Sequence, residues 1–229
     1  MLDFFSSNDI FALGWFLLVW VGFSWIVDAS PLSHRSLSHQ MACYRRRWMN
    51  TMARRDMRMI DTSIMAGLQQ GTAFFASTSI LAIGGSFALM GSTDEVLQVV
   101  RDLPLDIGAT RPIWEAKIIG LIVIYAFAFF KFGWAYRLFN YCSILIGSIP
   151  SLEDQDEQTQ GDVDKAAELN ILAGGHFNAG LRAIFFSIGY LGWFLGAVPW
   201  AIGTLLVGIV LIRRQFFSAS RKLMIKNKP

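Results

Sequence analysis

Residues 184–212 carry no charged side chain over 29 consecutive positions, and this run constrains the fold more than any other feature. A hydrocarbon layer about 30 Å thick is crossed by roughly 20 apolar residues of helix. The run is therefore a membrane segment, too long for one straight crossing, and it holds two helix interrupters, Gly196 and Pro199, near its middle. Two shorter uncharged runs precede it, 18 residues at 10–27 and 24 at 67–90. A further apolar stretch opens at Pro112, which suits a first helical turn because its missing N–H would be unpaired there anyway. It gives a span at 113–133, and the apolar pattern continues to residue 149. The reading is an all-α, polytopic transmembrane helix bundle in one domain. It has about four spans, at 10–27, 67–90, 113–133 and 182–212, the last broken near Pro199. A variant folds 182–212 into a hairpin and makes five.

The first run is not read as a cleaved signal. Asp3 and Asp9 precede it where a signal would be basic, and a basic stretch follows it. An apolar content of 54 % exceeds the ~45–50 % of soluble domains, and eight Trp and nineteen Phe suit rings placed at membrane borders. Two cysteines, Cys43 and Cys142, define neither a disulfide framework nor a zinc site.

Charge is segregated. The loop 29–66 has seven Arg and two Asp, so by the positive-inside rule it is cytoplasmic and the N-terminus is periplasmic. The loop 91–112, with four acids and two bases, then lies outside. The acidic stretch 151–164 reads as a solvated linker, with a helix starting near Asp162. From Arg213 the tail carries six bases and no acid, so it too belongs inside. Four spans would leave it outside, and the hairpin would return it.

Ionisable and amide side chains at the ends of apolar runs are the candidate ligand-binding residues. These are Gln69 and Gln70, Arg137 and Asn140, and the group His176, Asn178 and Arg182. If the loops that flank them share one side, all fall at the inner border and can form a polar, positive pocket for an anion. The plain alternative is snorkelling together with hydrogen bonds between helices. In the basic loop, Arg45, Arg46, Arg47, Arg54, Arg55 and Arg58 alternate with Tyr44, Trp48 and Met52. This resembles a helix lying on an anionic leaflet, so these arginines are expected to contact lipid headgroups and not nucleic acid. Gly67 and Gly71 form a small-xxx-small pair whose plain reading is helix packing. No phosphate loop, nucleophile elbow or Cys-x-x-Cys occurs, and His34 and His39 are five apart rather than four. No catalytic residue, cofactor or metal is expected.

Residues 67–85 (GLQQGTAFFASTSILAIGG), 129–141 (FFKFGWAYRLFNY) and 175–192 (GHFNAGLRAIFFSIGYLG), with Arg-Arg-Gln-Phe at 213–216, together resemble a known membrane-protein family. It is the one catalogued as domain of unknown function 599, in its alphaproteobacterial form. The resemblance implies a bacterial inner-membrane protein of about four spans and brings no activity with it. The family's motif positions coincide with Gln69, Gln70, Arg137, Asn140, Asn178 and Arg182. Three functions are weighed: a channel- or transporter-like protein for a small anion or polar solute, an accessory subunit of a larger membrane complex, and a membrane enzyme acting on lipid. The expected partners are acidic lipids and either further copies of the chain or a larger assembly.

Overall fold

The computed structural model describes residues 6–101 and 110–226. Asp3, residues 102–109 of the loop 91–112 and Lys228 of the tail lie outside these. The described residues form eight α-helices in the order α1 (Ser7–Asp28), α2 (Leu37–Ala53), α3 (Met59–Gly91), α4 (Thr93–Arg101), α5 (Arg111–Ser148), α6 (Glu157–Tyr190), α7 (Ala197–Phe216) and α8 (Ala219–Lys226). Five of them, α1, α3, α5, α6 and α7, are long and apolar enough to cross a membrane. The chain is a multi-pass helical bundle.

Helix ends follow local chemistry. Ser6 and Asp9 form a capping box at the start of α1, and Ser36 accepts from the His39 N–H at the start of α2. Pro112 occupies the first turn of α5, which runs unbroken for 38 residues. Helix α6 begins at Glu157, inside the acidic stretch and upstream of Asp162, because the Asp156 carboxylate accepts from the N–H groups of Gln158 and Thr159. Helix α3 packs along α5 through Thr72, Ser79 and Ser86, which stand seven apart and are buried. Each hydroxyl donates to the carbonyl four residues back (2.7, 2.9 and 2.8 Å), so none of the three is stranded where water is absent.

The long run 184–212 is two helices lying side by side. A 3₁₀ turn at Leu191–Leu195 ends at Gly196, whose φ of 126° favours glycine, and α7 then returns along α6. The reversal is thus at Gly196, and Pro199 sits in the first turn of α7, where its missing N–H leaves no intrahelical bond unmade. In place of one helix over 182–212 broken at Pro199, the structure has two helices joined by a turn at Gly196. The two arms touch through glycine: a Cβ on Gly189 would stand 3.2 Å from the Gly203 carbonyl, and one on Gly192 would stand 2.7 Å from the Pro199 oxygen.

Two cores result. At the hairpin end α1, α5, α6 and α7 bury Phe16, Phe132, Phe186, Tyr190, Trp193 and Trp200 together. At about 33 and 30 Å, α1 and α7 match the hydrocarbon layer, whereas α3, α5 and α6 reach about 50–57 Å and extend past it. Their extensions and α2 enclose the second core, around Met49, Met52, Met65, Phe139, Cys142 and Val163. Asp61, fully buried at its edge, accepts from Trp48 Nε1 (2.7 Å) and Arg55 Nη1 (2.8 Å). Asp61→Ala strands the indole donor, while the part-exposed Arg55 turns to water. A loss of about 1–3 kcal/mol is expected, read as a lower unfolding midpoint in detergent, with exposed Asp56→Ala unchanged.

Candidate functional site

Where α1 and α7 end and the longer helices continue, α6 narrows to Ala173, Gly174, Gly175, Ala179 and Gly180. A cavity of about 680 Å³ opens around this small-residue segment. Its walls come from the end of α1 (Phe23, Val27, Asp28), the first half of α2, the start of α3, the middle of α5 and of α6, and the end of α7. Gly67 and Gly71 belong to it: a Cβ on either would meet no atom within 4 Å, so the pair faces open space instead of another helix. Gly175 is equally unobstructed.

The wall is apolar and cationic. Four basic side chains line it, Arg45, Lys131, Arg182 and Arg214, with His39 and His176, and among the described residues Asp28 is the one carboxylate there. Arg182, with 9 % of its side chain exposed, forks onto both oxygens of Asp28, and its Nε has no hydrogen-bond partner. Arg214 lies 5.7 Å from the Phe185 ring centre and Lys131 5.3 Å from that of Phe127. Ser38 Oγ accepts from Gln215 Nε2 (2.5 Å) and from Asn178 Nδ2 (3.5 Å), joining α2, α7 and α6 on one hydroxyl. Arg45 donates to the side chain and the carbonyl of Asn170 and packs 5.7 Å over Phe139. Burial draws its pKa below the usual guanidinium value.

Of the seven ligand candidates, His176, Asn178 and Arg182 line this cavity. Gln69 donates to Asn140 (2.8 Å) and Ser143 (3.1 Å), a contact that joins α3 to α5. Gln70 is exposed, and Arg137 donates to Tyr141 and stacks against Trp134 on the outer surface. The arginines of the basic loop divide as well. Arg46, paired with Glu168, Arg47 and Arg54 are exposed. Arg55 binds Asp61, and Arg58 donates to the carbonyls of Ile149 and Pro150, where α5 ends. Arg45 turns inward. Asp28, Ser38, Lys131, Arg214 and Gln215 are not among the ligand candidates of the sequence, because the wall they share closes only when α7 returns to the level of α2.

Beyond the cavity the path toward the hairpin is filled by rings. Trp193 stacks on Trp200 at 4.3 Å, Tyr190 lies edge-on against both, and Phe16 lies tilted on Trp200 and edge-on to Tyr190. At the far end buried Lys117 donates to the Trp193 carbonyl (2.8 Å), and Trp193 Nε1 donates to Asp9 (2.6 Å).

A family model described as "Protein of unknown function, DUF599" matches residues 11–220. No curated protein and no solved structure matches the chain.

Proposed function

We propose that this chain, which belongs to the DUF599 family, crosses the bacterial inner membrane five times with its N-terminus outside and binds an anionic group at the cytoplasmic border. The observation that carries the reading is the cavity, where four cations face one carboxylate at the level at which α1 and α7 end. The orientation is supported by charge and position together. Arg221 of the basic tail donates to the Arg35 carbonyl of the basic loop, so both blocks lie at the same end of the bundle, the end the positive-inside rule assigns to the cytoplasm. The free thiols test it without any substitution. Cys43 is exposed on α2 and Cys142 is buried. A membrane-impermeant maleimide is expected to label Cys43 in inside-out vesicles and to leave it unlabelled in spheroplasts. The reverse pattern would overturn the orientation.

Binding is favoured over conduction of a small anion because the stacked rings of Phe16, Tyr190, Trp193 and Trp200 stand between the cavity and the opposite face. Filling the cavity tests the binding reading. Gly71→Phe and Gly175→Phe place a ring in open space, so each should keep the melting midpoint measured in phosphatidylcholine nanodiscs. Each should also abolish the rise in midpoint that phosphatidylglycerol gives the wild type. A wild-type midpoint that ignores acidic lipid defeats the reading.

A second reading, assembly into an oligomer or a larger complex, is supported by α3. Its main neighbour is α5, and Gly84 and Gly85 face outward with no atom within 4 Å of a Cβ position. A monomeric mass in mild detergent, with no co-purifying subunit, argues against it. A lipid-directed enzyme has less support, since the only carboxylate of the described residues in the cavity wall is held by Arg182.

A further inference from the structure

The pair Asp28–Arg182 is unequal, and the inequality identifies what the cavity takes. Arg182 is fixed: it is buried in the middle of α6, with 9 % of its side chain exposed. Asp28 has 53 % of its side chain exposed. It is the last residue of α1, where the negative end of the helix dipole opposes a carboxylate. Nothing else in the structure bonds to the Asp28 carboxylate among the described residues, so Arg182 alone holds it there. The guanidinium fork that Asp28 occupies has the geometry that also accepts a phosphate, and a phosphate brings a third oxygen for a further donor. Arg45, Lys131 and Arg214 line the same cavity without a carboxylate partner, and Phe23, Val27 and Leu211 supply an apolar wall beside them.

We infer that the cavity binds a phosphomonoester, with its apolar wall suited to one carried on a lipid chain, and that Asp28 is a built-in occupant which the phosphate displaces from Arg182. The inference rests on the binding reading above and adds the ligand class and a residue that sets the affinity. A monoester is favoured over a diester by charge: with Asp28 displaced, four cations face the ligand, and a second negative charge is matched where a diester offers one. The carboxylate acts as a tethered competitor. If it leaves Arg182 open about one tenth of the time, the apparent affinity is about tenfold below the intrinsic one.

The experiment measures binding of short-chain phosphatidic acid to the full chain in phosphatidylcholine nanodiscs, beside phosphatidylglycerol and inorganic phosphate. Asp28→Asn is expected to tighten phosphatidic acid binding about tenfold. Asp56→Asn, an exposed acid outside the cavity wall, makes the same change in net charge and should leave affinity within twofold. In an Arg182→Gln background the Asp28→Asn gain should vanish. Should Asp28→Asn fold poorly with Arg182 unpaired, the wild type supplies the second measurement. Carbodiimide labelling of Asp28, mapped by mass spectrometry, should rise when phosphatidic acid is added.

Equal tightening by Asp56→Asn, Asp28 labelling that falls or stays constant on ligand addition, or phosphatidylglycerol bound as tightly as phosphatidic acid overturns this inference and leaves the binding reading standing. No binding of any of the three probes to the wild type overturns both. Phosphatidic acid binding alone assigns the site to a lipid. Inorganic phosphate competing at equal concentration assigns the same phosphate chemistry to a free ion and overturns the lipid chain.

Discussion

Gly192→Ala is expected to lower the stability of the bundle by about 1–3 kcal/mol, a large effect for one methyl group. A Cβ at this position would stand 2.7 Å from the Pro199 oxygen, 2.9 Å from its carbonyl carbon and 2.9 Å from the Trp200 Cα. All three are backbone atoms, so no side chain can rotate away. The hairpin arms must part, and the turn that Gly196 makes between them leaves little slack. Parting them also disturbs the Trp193–Trp200 stack at 4.3 Å and, through it, the packing of Phe16 and Tyr190. The measurement is the unfolding midpoint in detergent followed by tryptophan fluorescence. Gly161→Ala is the control: it lies on α6 with nothing within 4 Å of a Cβ. It should leave stability unchanged or raise it by up to about 1 kcal/mol through helix propensity. Equal midpoints for the two variants would show that the arms are not closely packed.

The same position shows where reading the sequence stopped. The uncharged run 184–212 announced membrane helix by composition, and Gly196 with Pro199 announced an interruption. Neither states whether the chain continues or turns back. The charge conflict raised the hairpin only as a variant beside four spans, because the basic tail belonged with the basic loop and four spans separated them. The hairpin removes that conflict by setting Arg221 beside Arg35. Gly189, Gly192 and Gly203 could not be read as contact points beforehand, since they meet only after the reversal. For the same reason the cavity was half visible. His176, Asn178 and Arg182 lie within two turns of one helix, so a helical reading groups them. Ser38, Gln215 and Arg214 join them only when α7 ends at the level of α2. The basic loop misled in one respect. Of the residues that alternate with its arginines, Tyr44 is exposed, but Met52 is buried in the second core with Met49 and Ala53, and Trp48 packs at its edge. A helix that covers protein and one that covers lipid need similar apolar faces, and periodicity does not separate them.

Arg45 shows what that difference does, and its replacement has the other large expected effect. Its Nη1 donates to both the side-chain and the backbone oxygen of Asn170, which is fully buried, and a glycine at 174 makes room for the guanidinium. A Cβ there would stand 3.1 Å from both Nε and Cζ of Arg45. Arg45→Met keeps most of the aliphatic stem and removes the guanidinium, with its bonds to Asn170 and its packing over Phe139. The Asn170 Oδ1 then has no donor, because the neighbours of its amide are the sulfurs of Met65 and Cys142. Leaving such an acceptor unpaired costs about 1–3 kcal/mol. Arg45→Lys should recover only part of it, since the lysine ammonium reaches less far than Arg45 Nη1 and lacks the planar guanidinium that packs over Phe139. The cavity also loses one of its four cations, and acidic-ligand affinity should fall about tenfold, the equivalent of about 1.4 kcal/mol. Arg45→Met combined with Asn170→Leu separates the two roles. Replacing both partners by apolar groups of similar shape is nearly neutral for stability, so the unfolding midpoint should return close to that of the wild type. The affinity should not return, because the missing charge is not replaced. If the double variant regains both stability and affinity, Arg45 supports the fold alone and the site lies with Lys131, Arg182 and Arg214.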